Sequence, residues 1–300
     1  MKDINITTNN KNDPEYEVML DALVGEVFGF SFDTWFERKL WDDNYISYSI
    51  IDNGKMQANL CVFDNEMIVG GKRFRAIQLG AVCTSKSARG KGLSRQLIER
   101  ALSDYDGIPA FLFANESVID FYPRFGFRQI QAYRPVLNVG FTDNIETAAN
   151  TTDTATGSND KRAVKLDVDD PIVKNAINNR GSFSNILDCL NTASIQMFHL
   201  LKDYLDDIYH LPSLDVIVVA YQDNNRLFIA DIISKNPITF ESITPCLPFK
   251  GIDTIEFGFS PDHLNITPIW EPVPLTDVML FTKGTWNLPP HFRIPAMSET

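Results

Sequence analysis

Four cysteines in 300 residues, Cys61, Cys83, Cys189 and Cys246, are too few and too widely spaced for a disulfide framework or a thiolate metal site. Each sits among apolar or small residues, which reads as a buried thiol. Histidine is equally scarce. His199, His210, His263 and His291 show no ligand spacing with one another or with the cysteines, so no metal is expected. Apolar runs are too short to cross a bilayer, and the first twelve residues are polar with no signal-like core, so a cytoplasmic chain away from membranes is expected. Positive charge is also short. Against 39 Asp and Glu stand 27 Lys and Arg, net −12, which argues against a nucleic-acid partner because phosphate binding needs a basic face.

That deficit is uneven. Residues 1–141 hold 16 Lys and Arg against 18 Asp and Glu, net −2, whereas residues 142–300 hold 11 against 21, net −10. An acidic surround of this kind can draw in a cationic substrate, although its commoner role is solubility.

What the chain does have is enough apolar content, 44 %, to bury the cores of two domains of ordinary size. A stretch without large apolar residues, centred on 147–158, reads as a flexible linker or surface loop within 142–162. It divides the sequence into a first domain, 1–141, and a second, 163–300.

In the first domain, residues 14–28 read as a helix with Val18, Ala22 and Leu23 on one face, and 32–40 as another. Strands are predicted over 45–51 and 56–63 around an Asn53-Gly54 hairpin turn, then over 73–84. A helix over 92–102, a buried strand over 108–114, a short helix over 117–122 and a strand over 128–139 complete it. In the second domain, Leu187, Leu190, Ser194, Met197, Leu201 and Leu205 recur at three and four residues, predicting a long helix over 185–205. Strands over 214–221 and 226–234, a short helix at 240–243 and strands over 254–259 and 278–283 follow.

The chemistry concentrates at Ser87-Ala88-Arg89-Gly90-Lys91-Gly92-Leu93-Ser94, between a strand and a helix. The glycines let the backbone come close to a ligand, and the amides that open the next helix, with Arg89 and Lys91, suit a diphosphate. About twenty residues on, Asn115 begins a segment that runs through Phe121-Tyr122 to Phe125-Gly126-Phe127, where Gly126 makes a sharp exit.

Strand, Arg-Gly-x-Gly-Leu turn, helix, buried strand and Phe-Tyr-x-x-Phe-Gly-Phe, in that order, resemble the GCN5-related N-acetyltransferase (GNAT) superfamily over roughly residues 14–139. The resemblance implies an α/β fold, a GNAT-like mixed central sheet flanked by helices. It implies acetyl-CoA as co-substrate, with main-chain groups of Val82, Cys83 and Thr84 facing the pantetheine. Arg89, Gly90, Lys91, Gly92 and Leu93 would hold the pyrophosphate, with Ser94 nearby. Ser87 departs from the family's Gln or Arg, which removes one phosphate contact and leaves the backbone cradle. Tyr122 matches the tyrosine that protonates the leaving thiolate, and Asn115 serves either as a helix cap or as a cofactor contact.

The second half lacks a basic glycine turn and reads as a smaller α+β, degenerate GNAT-like domain that shapes the acceptor site or a homo-oligomer. This layout resembles the enhanced intracellular survival group of acetyltransferases. The resemblance implies that the terminal carboxylate, at Thr300, enters the site as base, although the aromatic last residue of that group is absent here. Glu37, Asp42, Asp43, Asp64 and Glu66 are alternative bases without a motif, and Trp35, Phe36 and Trp41 either line an acceptor channel or pack the core. The expected reaction moves acetyl to a primary amine on a cationic small molecule. A protein lysine or N-terminal amine, and a non-catalytic acyl-CoA-binding module, are the alternatives.

Overall fold

The computed structural model describes residues 5–8, 10–139 and 162–300; the expected linker falls outside them apart from Arg162. Among these residues, the first half contains strands β1 (Ile6–Thr8), β2 (Tyr45–Asp52), β3 (Lys55–Val69), β4 (Lys72–Thr84), β5 (Ala110–Ala114), β6 (Arg128–Gln129) and β7 (Tyr133–Asn138). Its helices are α1 (Pro14–Phe28), α2 (Asp33–Glu37) and α3 (Leu93–Asp104). The second half adds β8 (Val164–Lys165), β9 (Leu187–Cys189), β10 (Ile208–Leu211), β11 (Val216–Asp223), β12 (Arg226–Ile233), β13 (Thr254–Phe257), β14 (Ile269–Pro272) and β15 (Met279–Lys283). Helices α4 (Pro171–Asn178), α5 (Ala193–Lys202) and α6 (Phe240–Ile243) belong to it as well. The fold is thus mixed α/β, built on two mixed sheets.

The two sheets do not respect the division of the chain at residues 142–162. The first runs β1-β2-β3-β4-β5-β15-β6 with β9 also paired to β3, and the second runs β14-β7-β13-β12-β11-β10-β8. The first half therefore gives β7 to the second sheet, and the second half gives β9 and β15 to the first. The single strand expected over 128–139 breaks at residues 130–132, sending β6 to β15 and β7 between β13 and β14. Strand β15, expected to close the second domain, pairs antiparallel with β5 from Met279↔Ala114 to Lys283↔Ala110.

Local signals are obeyed where the backbone alone decides. Asn53 and Gly54 both take positive φ, 51° and 71°, as a tight hairpin turn of this pair requires. Helix α1 starts at the Asp13 cap, whose carboxylate accepts from the Glu15 and Tyr16 amides, and stops at left-handed Gly29. Its buried face is Tyr16, Leu20, Leu23 and Val24, one step round from the expected face, and Val18 is left 70 % exposed. The Tyr16 hydroxyl explains the rotation, since it reaches the buried Ser47 and Ser49 hydroxyls on β2.

The helix expected over 185–205 is instead β9, a turn and α5. A buried charge overrides the period: Asp188 points inward to Arg180 at 3.1 Å, and Arg180 also pairs with Asp231 of β12 at 3.2 Å. With Asp188 held there, Leu187 and Cys189 pack into the core behind the first sheet, and the segment pairs with Met67–Val69. The short helix expected over 117–122 is replaced by two 3₁₀ turns, Glu116–Val118 and Tyr122–Phe125, the second with Pro123 in its first turn. No helix among the described residues is long and apolar enough to cross a membrane.

Candidate active site

Strands β4 and β5 run parallel, but their register holds only at Ile77↔Ala110 and Gln78↔Phe111. Beyond these pairs the strands separate. On the other side of β4 the register against β3 slips between Cys61↔Gly80 and Asn59↔Cys83, so two residues of β4, Ala81 and Val82, oppose Leu60 alone. This is a β-bulge, with Ala81 in the left-handed region at φ 46° and its carbonyl accepting from Asn59 Nδ2 at 3.2 Å. The parted strands and the bulge open a cavity of about 1010 Å³ at the middle of the first sheet.

One limb of the cavity holds the glycine turn that the sequence singles out. Helix α3 begins at Gly92, φ 74°, with no side chain capping its first amides, and Gly90 is also left-handed at 78°. Nothing lies within 4 Å of where a Cβ would stand at either glycine, so a phosphate has access to uncapped helix N–H groups. The Thr84 and Ser94 hydroxyls bond each other at 2.6 Å and tie the end of β4 to the first turn of α3. Val82, Cys83, Thr84, Arg89, Gly90, Gly92, Leu93, Ser94 and Asn115 all line the cavity; Lys91 does not. The Asn115 side chain caps the 3₁₀ turn after β5 by accepting from the Ser117 amide at 3.1 Å. Cys83 is buried, and that burial pushes its thiol far above the usual range, so it remains a neutral packing group.

Tyr122 lines the same cavity. Its ring is packed by Phe121, Phe127 and Phe281 at centroid distances of 5.4, 6.1 and 6.0 Å, the last from the exchanged strand β15. Burial raises its phenol to about 12, so it stays protonated at neutral pH.

The C-terminal segment closes the cavity between the two sheets. Met297 and Ser298 are buried, and the Ala296 amide donates to the Gly258 carbonyl at 2.7 Å. Gln78, fully buried on β4, grips the last residues. In the amide orientation that satisfies both its atoms, its nitrogen donates to the Ser298 carbonyl at 2.9 Å and its oxygen accepts from the Thr300 amide at 2.6 Å. Thr300 lies so close to Gly80 that a Cβ there would stand 2.4 Å from Thr300 Oγ1 and 2.7 Å from its Cβ.

His199 of α5 holds the segment from the opposite wall, with Nε2 2.7 Å from the Glu299 carbonyl and Nδ1 2.8 Å from Asp203 Oδ2. Asp203 is drawn below the usual carboxylate range chiefly by the His199 bond. The Glu299 carboxylate is 3.3 Å from Arg293, and burial pushes it above its ordinary range.

The second limb runs from the end of α1 to α5. Trp35 lines it and bonds the Ser194 carbonyl through Nε1 at 3.0 Å, locking α2 against α5. Phe36 and Trp41 pack in the same aromatic cluster without lining the cavity. Glu37 is exposed and away from it. The other carboxylates considered are also elsewhere: Asp64 pairs with Arg75, Glu66 with Arg73, Asp43 with Lys11, and Asp42 turns to the Asn44 amide. Gln78, Gly80, His199, Lys202 and the Phe30 and Phe198 rings belong to the site without having been expected. Gly80 alone carried a signal, because an isolated glycine in an apolar strand marks a bulge or a close approach.

Residues 13–130 match the family model Acetyltransf_9, the acetyltransferase (GNAT) domain. No curated protein matches the sequence. Among solved structures, Eis1 from Mycobacterium abscessus superposes over 93 % of this chain and 73 % of its own, with a TM-score of 0.55 at 17 % identity. A GCN5-related N-acetyltransferase from Kribbella flavida covers 93 % and 71 % at TM-score 0.53 and 15 % identity. A probable N-acyltransferase from Enterococcus faecalis covers 93 % and 72 % at 0.56 and 12 %. Residues 13–130 thus match the GNAT acetyltransferase domain, and the likenesses to solved structures extend the shared fold well past that stretch.

Proposed function

We propose that the protein transfers acetyl from acetyl-CoA to a primary amine by direct attack, with Tyr122 as general acid and the Thr300 carboxylate as base. The observation that carries this reading is that one cavity joins the uncapped α3 N-terminus behind Gly90 and Gly92 to the buried phenol of Tyr122 and to Thr300. The cradle holds the diphosphate through backbone amides and the nearby Arg89. The parted edge of β4, at Val82 to Thr84, offers main-chain groups to the pantetheine.

Attack of a neutral amine on the thioester carbonyl forms the new C–N bond and a tetrahedral oxyanion. Thr300 accepts the proton that the nitrogen sheds. As the C–S bond breaks, Tyr122 gives its proton to the departing thiolate, and the phenol is reset from solvent. Cys83 takes no part as a covalent carrier, because its thiol stays neutral.

A cationic acceptor, expected from the acidic second half, has little to meet here: of the cavity-lining side chains only Glu299 is a carboxylate.

The test of the cradle is thermal. At a hundred times its Kd, CoA stabilises the folded protein by about 2.7 kcal/mol, and Gly92→Leu is expected to abolish that gain. A left-handed leucine costs about 1–2 kcal/mol by itself, so the comparison is the shift on adding CoA and not the starting melting temperature. An equal CoA shift in the variant would place the diphosphate elsewhere. Release of free thiol from acetyl-CoA on mixing with a panel of amines tests the transfer, and binding without turnover on any amine would make the protein an acyl-CoA-binding module.

A further inference from the structure

The second limb differs from the cradle in every chemical respect. Its wall is Val27, Phe28, Phe30, Phe32, Ile195 and Phe198, brought together by the end of α1, the turn at Gly29 and one face of α5. Phe30, Phe32 and Phe198 form a closed triangle of rings, with centroids 5.3, 5.7 and 5.3 Å apart for Phe30–Phe32, Phe30–Phe198 and Phe32–Phe198. Phe28, stacked on Phe30 at 5.9 Å, is still 40 % exposed. Such a surface gains by being covered with apolar area.

Its one cation is the protein's own. Lys202 Nζ lies 5.2 Å from the Phe30 centroid and 5.7 Å from that of Phe198, where a cationic ligand would gain most from these rings. Asp203, at 3.0 Å, offsets this ammonium from the solvent side but does not line the cavity. Glu299, the one lining side-chain carboxylate among the described residues, is engaged with Arg293, and the Thr300 carboxylate is committed to the proposed proton transfer at the junction with the cradle. A second ammonium in this limb meets Lys202 with no free side-chain carboxylate to answer it, and the other cationic side chains of the wall, Arg89, Arg95 and Arg124, lie on the cofactor side.

Resting on the acetyl-transfer reading above, we infer that the acceptor is a monoamine carried on an aromatic or extended apolar body, and that Lys202 excludes polycations. The apolar body covers the phenylalanine triangle while the amine, neutral at the moment of attack, points to the junction with the cradle.

The experiment compares kcat/KM for 2-phenylethylamine and tryptamine with that for spermidine and an aminoglycoside, with acetyl-CoA saturating, in the wild type and in Lys202→Gln. The aryl amines are expected to exceed the polycations by at least a hundredfold. Lys202→Gln is expected to raise kcat/KM for spermidine about tenfold relative to that for the aryl amines. A wild-type preference for spermidine or the aminoglycoside overturns the acceptor assignment and leaves acetyl transfer standing. A ratio that Lys202→Gln does not change overturns the role given to Lys202. Acetyl-CoA binding without acetylation of any of the four amines overturns the transfer reading itself, and the acceptor class with it.

Discussion

Gly80→Ala is expected to lower kcat about a hundredfold while KM for acetyl-CoA and the melting temperature change little. The added methyl would stand 2.4 and 2.7 Å from the Oγ1 and Cβ of Thr300, nearer than non-bonded atoms approach. One side must move. Gly80 lies in the paired part of β4, opposite Cys61, whereas Thr300 is held by a few hydrogen bonds, so the C-terminal residue shifts by about 1 Å. Displacement on that scale is enough to cost about 10²-fold when the group displaced is one that handles the proton. The strand itself tolerates alanine, because the backbone at Gly80 is not left-handed. Unchanged kcat would show that Thr300 does no proton work, and a large fall in melting temperature would show that the contact is structural. Gln78→Leu, which removes the grip on the same residues, is expected to act in the same direction.

Tyr122→Phe is expected to reduce kcat by about 10²–10⁴-fold, the usual range for loss of a placed general acid. Its ring contacts with Phe121, Phe127 and Phe281 survive the change, so folding and CoA affinity should be nearly those of the wild type. The sign of the pH effect follows from burial. A phenol raised to about 12 is protonated throughout the working range, and the acid is lost only as pH climbs toward that value. The kcat profile of the wild type should therefore show no alkaline fall below about pH 10 that Tyr122→Phe removes. Such a limb near pH 9, or a variant that keeps a tenth of the activity, would move the general acid to another group.

Elements governed by neighbouring residues were legible in the sequence: the Asn53-Gly54 hairpin, the left-handed glycines 90, 92 and 126, and the extent of α1 and α6. What escaped depends on partners far along the chain. Alternation marks 133–138 and 279–283 as strands but says nothing about which sheet receives them, because their partner strands lie far along the chain. The leucine period over 187–205 was outweighed by a single inward carboxylate, Asp188, whose reason is Arg180 and, through it, Asp231 on another strand. The grip of Gln78 on the last residues was invisible for the same cause: a buried glutamine declares that it has partners, not where they are. The net acidity was read correctly as a number, yet its absence from the cavity wall could only be seen once that wall existed.

The exchange of β7 and β15 has a consequence for the order of events during synthesis. The free edge of β5 ends at Ala114, and the strand that covers it starts at Met279, about 165 residues later. At roughly 5–20 residues per second the ribosome needs about 8–33 s to supply it. Throughout that interval the nascent chain carries an exposed sheet edge beside an unfinished Tyr122 pocket, because Phe281 is one of the walls that burial of the phenol requires. On the proposed reaction, competence is therefore acquired late and all at once, and a chain broken between the two halves is expected to forfeit it, although every residue of the glycine cradle precedes the break.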